Sequence, residues 1–172
     1  MKKLFSVFVA LFAAIVFVSA QTNIEKLIVN YQFKYSNMII DGMEAKGFVA
    51  IHENEGKDTP DIAFEKFTQQ VETIFISAAN GQLLQKSNLR LDNSSDSRYL
   101  LMISFQKVDK DGEHNVICSL YDNEQKEYID TFISHADGGM FGSFMNLFSE
   151  CLSKSGKKVG KKLNSILKKR IK

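Results

Sequence analysis

Residues 99–135 predict three antiparallel strands joined by two tight turns. The turns, at residues 109–112 and 123–126, carry the polar and glycine residues typical of hairpins. If Val108 faces Glu113 and Asp122 faces Glu127 across these turns, Ile103 lies opposite Cys118, and Cys118 lies opposite Thr131. The apolar residues of both hairpins then share one face, and a shift of one residue would destroy that agreement. This meander therefore needs a second layer to cover its apolar face.

Two long amphipathic helices are predicted to form that layer. The first begins at Thr59 and Pro60, a good N-cap and first-turn pair, and ends at Asn80 and Gly81. The second covers about residues 140–170, and Gly156 and Gly160 within it allow a close backbone approach or a kink. Its apolar stripe comprises Phe141, Phe144, Met145, Phe148, Leu152, Val159, Leu163, Ile166 and Leu167.

Shorter elements complete the predicted order. Alternating apolar residues indicate a strand over residues 23–35, and a brief strand is expected at 89–91. A short helix is expected over 43–52. The resulting fold class is an α/β (α+β) two-layer sandwich, in which a mixed sheet contains the three-strand meander and is packed by two long helices. Residues 21–172 are expected to form one domain.

The N-terminus has the order of a secretory signal peptide. Lys2 and Lys3 precede an apolar run over residues 4–18, and small residues stand ahead of Gln21. The run is shorter than the roughly 20 apolar residues that a membrane helix needs. We expect residues 1–20 to be removed after Ala20, which places the protein in the periplasm or outside the cell. A retained N-terminal anchor is the alternative.

Charge is unevenly distributed along the chain. Residues 21–150 carry 11 Lys and Arg against 20 Asp and Glu, whereas residues 151–172 carry nine Lys and Arg and no acid. Such a basic end indicates either an anionic partner, such as anionic lipid or a polymer, or attraction to the chain's own acidic body. We favour a helix docked on the sheet, with no nucleic-acid partner and no membrane contact after cleavage.

Two cysteines, Cys118 and Cys151, lie in apolar surroundings. An exported chain with an even number of cysteines permits one disulfide between them. Two buried free thiols are the alternative, because cysteine also behaves as a small apolar residue.

The second face of the meander is the candidate binding site. In the same register it is apolar and aromatic, although a sheet covered on one side only is expected to be polar on the other. The candidate contact residues are Leu100, Met102, Ile117, Tyr121, Tyr128 and Phe132. Either a partner binds this face, or the chain's own N-terminal segment covers it.

A competing hypothesis centres on two histidines. The same register sets His114 opposite His135, with Lys107 beside them and Asp137 following, so a metal-dependent hydrolase site is conceivable. Two firm ligands are fewer than a closed metal site requires, and we expect neither a metal nor a cofactor. The sequence contains no G-x-S-x-G elbow, phosphate loop or dinucleotide-binding glycine pattern, and we assign no catalytic residue.

Three features together resemble a group of small exported proteins of Gram-negative bacteria. They are Gln21 at the cleavage site, the Asp-Gly-Met break at 41–43 and the Lys- and Gly-rich ending at 155–163. The order of elements is also similar to the TolB N-terminal domain and to LpoB-type activators of cell-wall synthases. That resemblance implies a non-catalytic α/β module that acts by contacting another cell-envelope protein.

Overall fold

The computed structural model describes residues 27–54 and 56–170. The expected signal peptide, its cleavage after Ala20 and the first residues of the expected strand at 23–35 lie outside the described residues. Within this part of the chain, seven strands form one mixed sheet, and three helices accompany it. The predicted fold class, an α/β sandwich with a mixed sheet packed by long helices, is confirmed.

The strands are β1 Leu27–Lys34, β2 Ile39–Ile40, β3 Met43–Glu44, β4 Leu89–Leu91, β5 Tyr99–Val108, β6 His114–Asp122 and β7 Glu127–Ala136. The helices are α1 Ala45–His52, α2 Pro60–Lys86 and α3 Phe144–Arg170. The main strands are ordered β4-β1-β5-β6-β7, and β2 pairs with the end of β5, beyond the last residue that pairs with β1. β1 is parallel to both β4 and β5, and the meander β5-β6-β7 is antiparallel.

The core lies between the helices and one face of the sheet, which we call the inner face. Aromatic rings connect the two layers: Phe33 of β1 contacts Phe75 of α2 edge to face at 5.5 Å, and Phe105 of β5 contacts Phe148 of α3 at 6.0 Å. Edge-to-face pairs of this kind add to the stabilisation that burial alone provides. The apolar stripe of α3 is core from Phe148 to Leu167, as the helical spacing predicts.

Two glycines bring α3 against α2. A Cβ built on Gly160 would lie 2.5 Å from the backbone oxygen of Ala79, and one on Gly156 would overlap the backbone oxygen of Phe75. Only glycine permits such a distance between backbones. Of the two roles that the sequence allowed for these glycines, the structure shows the close approach.

Both long helices differ from their predicted limits. α2 continues past Asn80 and Gly81 to Lys86, because the Asn80 side chain bonds the backbone of Leu91 at both N–H (2.8 Å) and C=O (3.0 Å). Asn80 thus ties the helix to strand β4 instead of ending it. α3 begins at Phe144, not near residue 140, and Phe141 is 89% exposed, so including Phe141 in the buried stripe was wrong.

The first hairpin has the predicted register over most of its length. Ile103 pairs with Cys118 and Leu101 with Leu120, and all four side chains are fully buried. An irregularity between Phe105 and Val108 then pairs Val108 with His114, where the unbulged register had Glu113.

The second hairpin departs from the predicted register two residue pairs after its turn. Tyr121 pairs with Tyr128 as expected, but Leu120 pairs with Asp130, so a bulge falls at Ile129. Every later residue of β7 therefore faces the side of the sheet opposite to the predicted one. Thr131, predicted to be buried opposite Cys118, is exposed opposite Ser119. Bulges are common at sheet edges, and β7 is an edge strand.

Both cysteines are buried free thiols. Cys118 lies on the inner face of β6, and the Cys151 thiol of α3 donates to the backbone oxygen of Asp137 at 3.1 Å. Burial raises the pKa of Cys118 to about 12, which keeps this thiol protonated and unreactive. The structure therefore shows the second of the two cysteine alternatives.

Candidate functional site

The sheet face directed away from the helices, which we call the outer face, is the candidate functional site. The helices pack against the inner face through core residues such as Phe75 of α2 and Phe148 of α3. Strand alternation directs the intervening side chains of β5, β6 and β7 the other way. These outer-face residues are Leu100, Met102, Ser104, Asn115, Ile117, Ser119, Tyr121, Tyr128, Thr131, Ile133 and His135.

Large apolar side chains lie on the outer face. The rings of Tyr121 and Tyr128 meet edge to face with centroids 5.2 Å apart. Tyr128 is 64% exposed and Ile133 is 66% exposed, values far above those of the core. Of the predicted contact residues, Leu100, Met102, Ile117, Tyr121 and Tyr128 all lie on this face, and the first four are half-buried.

Polar side chains on this side of the sheet already bond other groups of the chain. The Thr131 hydroxyl donates to the Ser119 hydroxyl at 3.1 Å, and Asn30 of β1 donates to the backbone oxygens of Asp92 and Ser95 at 2.8 Å. Bonding of this kind leaves few polar groups that need water. The desolvation cost of covering the face is correspondingly low.

Phe132 does not belong to this face, and its predicted placement is corrected. The bulge at Ile129 turns Phe132 to the inner face opposite Cys118, where it packs against the core. Lys162 of α3 lies over its ring, 5.9 Å from the centroid. The same bulge directs Ile133 to the outer face, whereas the predicted register had placed Ile133 on the inner face. Compared with the predicted surface, the outer face therefore lacks Phe132 and includes Ile133.

The helices that the structure describes, α1, α2 and α3, leave the outer face open. The sequence offered the N-terminal segment as a possible cover. That segment, up to residue 26, lies outside the described residues. The outer face of the described chain is therefore an apolar, aromatic surface beside a polar margin, which is the composition of a protein-binding patch.

The two histidines do not face each other as predicted. His114 is directed inward and is 2% exposed, whereas His135 lies opposite Asn115 on the outer face. His135 contacts Asn115 and Asp137, each at 3.1 Å, and Lys107 pairs instead with Asp109 at 3.2 Å. In residues 27–54 and 56–170, no group of three or more His, Cys, Asp and Glu is placed to hold a metal ion.

His114 joins β6 to helix α3 inside the core. Its Nδ1 lies 2.7 Å from the backbone oxygen of Gly112, and its Nε2 lies 2.8 Å from the hydroxyl oxygen of Ser155. Burial lowers the pKa of His114 to about 4, although the bond to Gly112 acts in the opposite direction. The imidazole is therefore neutral at physiological pH, and the pair is enclosed between the layers.

Sequence reasoning missed a charged cleft at the end of the sheet where β1 begins. The cleft is lined by Leu27, Arg98, Tyr99, Gln125, Glu127 and Arg170. Arg98 binds the buried carboxylate of Asp122 through Nε and Nη2, the latter at 2.8 Å, and this holds the pKa of Asp122 at about 2. The only sequence signal was the position of Asp122 directly before a turn, where a carboxylate can accept turn N–H groups.

Part of the basic C-terminal helix binds the chain's own acidic body, one of the two alternatives that the charge distribution left open. Lys158 donates to the backbone oxygen of His135 at 2.7 Å. Arg170 reaches Glu127 at 3.2 Å. These contacts run along the edge strand β7 and cover part of its free backbone, which protects an edge from unwanted pairing.

No protein-family model and no curated protein matches the chain. Among solved structures, the chain is similar to a Xanthomonas campestris protein of the DUF330 family, with a TM-score of 0.46, 10% identity, and coverage of 88% of this chain and 90% of that one.

Two further structures give similar values. The PelC dodecamer from Paraburkholderia phytofirmans matches with a TM-score of 0.40 and 12% identity over 78% of this chain and 87% of that one. A candidate lipoprotein from Caulobacter crescentus matches with a TM-score of 0.40 and 9% identity over 55% of this chain and 81% of that one. All three come from Gram-negative bacteria, and none is a TolB or LpoB protein. Likenesses this distant carry no argument about function.

Proposed function

We propose that this chain is an exported, non-enzymatic binding module that contacts another protein of the cell envelope through the outer face. The observation that carries the proposal is the Tyr121–Tyr128 ring pair, with Tyr128 largely exposed, on a sheet face that the described helices leave open. Ile133, also exposed, lies on the same face beyond the Ser119–Thr131 pair. Tyrosine and methionine are enriched at protein interfaces, and charged residues are depleted at the interface core.

The arrangement of the outer face supports this function in a second way. Tyr121 and Tyr128 combine a large apolar ring with a hydroxyl that can bond a partner, and their edge-to-face contact restricts both rings before binding. A patch that is ordered beforehand loses less conformational entropy on association. The competing hydrolase hypothesis gains no support, because His114 is enclosed in the core and His135 is on the other side of the sheet.

Site-specific photo-crosslinking in the cell envelope tests the proposal. A photoreactive phenylalanine at Ile133 of the full chain should give a discrete crosslinked protein. The same group at Gln69, an exposed position on α2, is the matched control and should not give that product. Adding Tyr121→Asp and Tyr128→Asp should abolish the crosslink from position 133.

Circular dichroism of the double variant separates binding from folding. We expect a native spectrum, because Tyr128 is largely exposed and Tyr121 is half-buried. An unfolded double variant would mean that the face belongs to an internal core that the N-terminal segment completes. Equal crosslinking from positions 133 and 69 would contradict a dedicated binding face.

A further inference from the structure

The solvent side of α3 consists almost entirely of cations. Every exposed residue from 154 to 169 is a lysine, with Ser165 as the exception. At a rise of 1.5 Å per residue, the set extends over about 22 Å. We call it the lysine face, and it comprises Lys154, Lys157, Lys158, Lys161, Lys162, Lys168 and Lys169.

Two of the seven lysines contact groups elsewhere in the described chain. Lys158 donates to the His135 backbone, and the Lys162 ammonium lies 3.8 Å from the Asp130 carboxylate. The other five lysines have no hydrogen bond or ion pair within residues 27–54 and 56–170. Their charge faces solvent and is available to a partner.

The neighbouring helix adds no negative charge. α2 runs beside α3 in the same direction, since Phe75 meets Gly156 and Ala79 meets Gly160. From residue 73 to residue 86, α2 contains no Asp or Glu, and its Leu84 is 58% exposed. Two helices packed side by side therefore give a broad surface that is neutral or basic over its C-terminal half.

The rest of the molecule has the opposite sign. Residues 21–150 carry nine more acids than bases, and residues 151–172 carry nine more bases than acids. A charge separation of this kind orients a protein as it approaches a charged surface, because the basic side is attracted and the acidic side is repelled.

We propose that the lysine face binds the surface of a bilayer containing anionic phospholipid, so that the folded domain lies on its helix layer. Each lysine close to such a surface contributes about 1 kcal/mol, and five free lysines suffice for measurable adsorption. The breadth of the two-helix surface favours a bilayer over a single polymer chain, which fits a groove better.

This binding leaves the fold unchanged. The apolar stripe of α3 stays in the core, and α3 adsorbs through its charged side without inserting. No helix in the described part of the chain is long and apolar enough to cross a membrane. We expected no membrane contact because the apolar stripe of α3 was assigned to the core. The proposed binding does not need that stripe, because the lysine face remains exposed while the stripe is buried. The outer face lies on the other side of the sheet, so this inference is independent of the proposed function.

Vesicle flotation with the chain from Gln21 to Lys172 tests the inference. The wild type should float with phosphatidylcholine vesicles that contain phosphatidylglycerol, and not with phosphatidylcholine alone. Added salt should weaken the adsorption, because surface charges are screened. The variant Lys157→Gln/Lys161→Gln/Lys168→Gln should lower the partition coefficient about a hundredfold, given about 1 kcal/mol per lysine.

The matched control removes the same charge elsewhere. Lys46 of α1, Lys107 of β5 and Lys110 of the turn after β5 are exposed and lie outside α3, so their change to glutamine should lower partitioning much less. Equal losses in both triple variants would overturn the inference and leave net charge as the cause. Absence of vesicle binding by the wild type would also overturn it. If soluble polyphosphate bound while vesicles did not, the face would be assigned to an anionic polymer.

Discussion

The Ser155 hydroxyl donates a hydrogen bond to Nε2 of His114, with 2.8 Å between the two atoms, inside the core. The direction follows from the other ring nitrogen. Nδ1 lies 2.7 Å from the Gly112 carbonyl, which can only accept, so Nδ1 carries the proton and Nε2 accepts. The pair fastens the start of β6 to the middle of α3 and has consequences for stability in acid.

Acid should destabilise the protein through His114. Its folded pKa of about 4 lies below the ordinary 6.5, so the unfolded chain binds more protons between those values. Stability is therefore lost as the pH falls from about 6.5 to about 4, and the loss from this group reaches about 3 kcal/mol. Urea unfolding measured across this pH range checks the slope.

The variant His114→Gln should be less stable at neutral pH and should lose most of that slope. His52→Gln, which changes an exposed histidine, is the control and should keep it. Burial raises the pKa of Glu72 in the folded protein, which acts in the opposite direction but equally in all three proteins. An unchanged slope in His114→Gln would refute the assignment.

The helix–helix contact should tolerate no side chain at its glycines. Gly156→Ala places a methyl group against the Phe75 carbonyl, and we expect a loss of about 1–3 kcal/mol from overpacking. Gly81→Ala is the matched control, because Gly81 is exposed near the C-terminal end of α2 and has open space around it. That change should stabilise the protein by up to about 1 kcal/mol. Thermal unfolding of both variants is the measurement, and similar shifts would contradict the close approach.

The bulge in β7 can be tested by mutating two adjacent residues. Phe132→Ser removes a ring that packs against the core and should cost several kcal/mol. Ile133→Ser changes a side chain that is 66% exposed and should cost well under 1 kcal/mol. The unbulged register predicts the reverse order. Chemical denaturation of the two variants decides between the registers.

Asp122 should matter more than its exposed neighbour Glu124. The Asp122 carboxylate is buried and accepts from Arg98 and from the backbone N–H groups of Glu124 and Gln125. Asp122→Asn should therefore lower the thermal midpoint clearly more than Glu124→Gln. Because its pKa is depressed to about 2, the stability from Asp122 persists above its ordinary pKa of 3.8 and disappears as the pH falls towards 2.

The midpoint difference between wild type and Asp122→Asn should accordingly shrink in strong acid. A difference that stayed constant down to about pH 2 would mean that the carboxylate charge is not what Asp122 contributes. The same series with Glu124→Gln gives the baseline, since that side chain is 65% exposed.

The sequence by itself determined the two layers, the long helices and the first hairpin. In each case the period of the apolar residues was compatible with one arrangement only. In the first hairpin, one register alone directs the apolar residues of both strands, including Ile103 and Cys118, to the inner face. The close approach at Gly156 and Gly160 was one of two readings that the sequence allowed. Five of the six candidate contact residues were placed on the correct face for the same reason.

Tertiary structure decided the rest, because local patterns there allowed more than one answer. β7 has apolar residues on both faces, so its register is weakly specified by pattern alone, and packing beneath α3 turned Phe132 in and Ile133 out. His114 was drawn into the core by partners distant in sequence, as Ser155 shows. The lysine face is likewise decided by tertiary structure. It is the side of α3 that stays exposed when the opposite side is buried in the core, and the local sequence does not specify that packing.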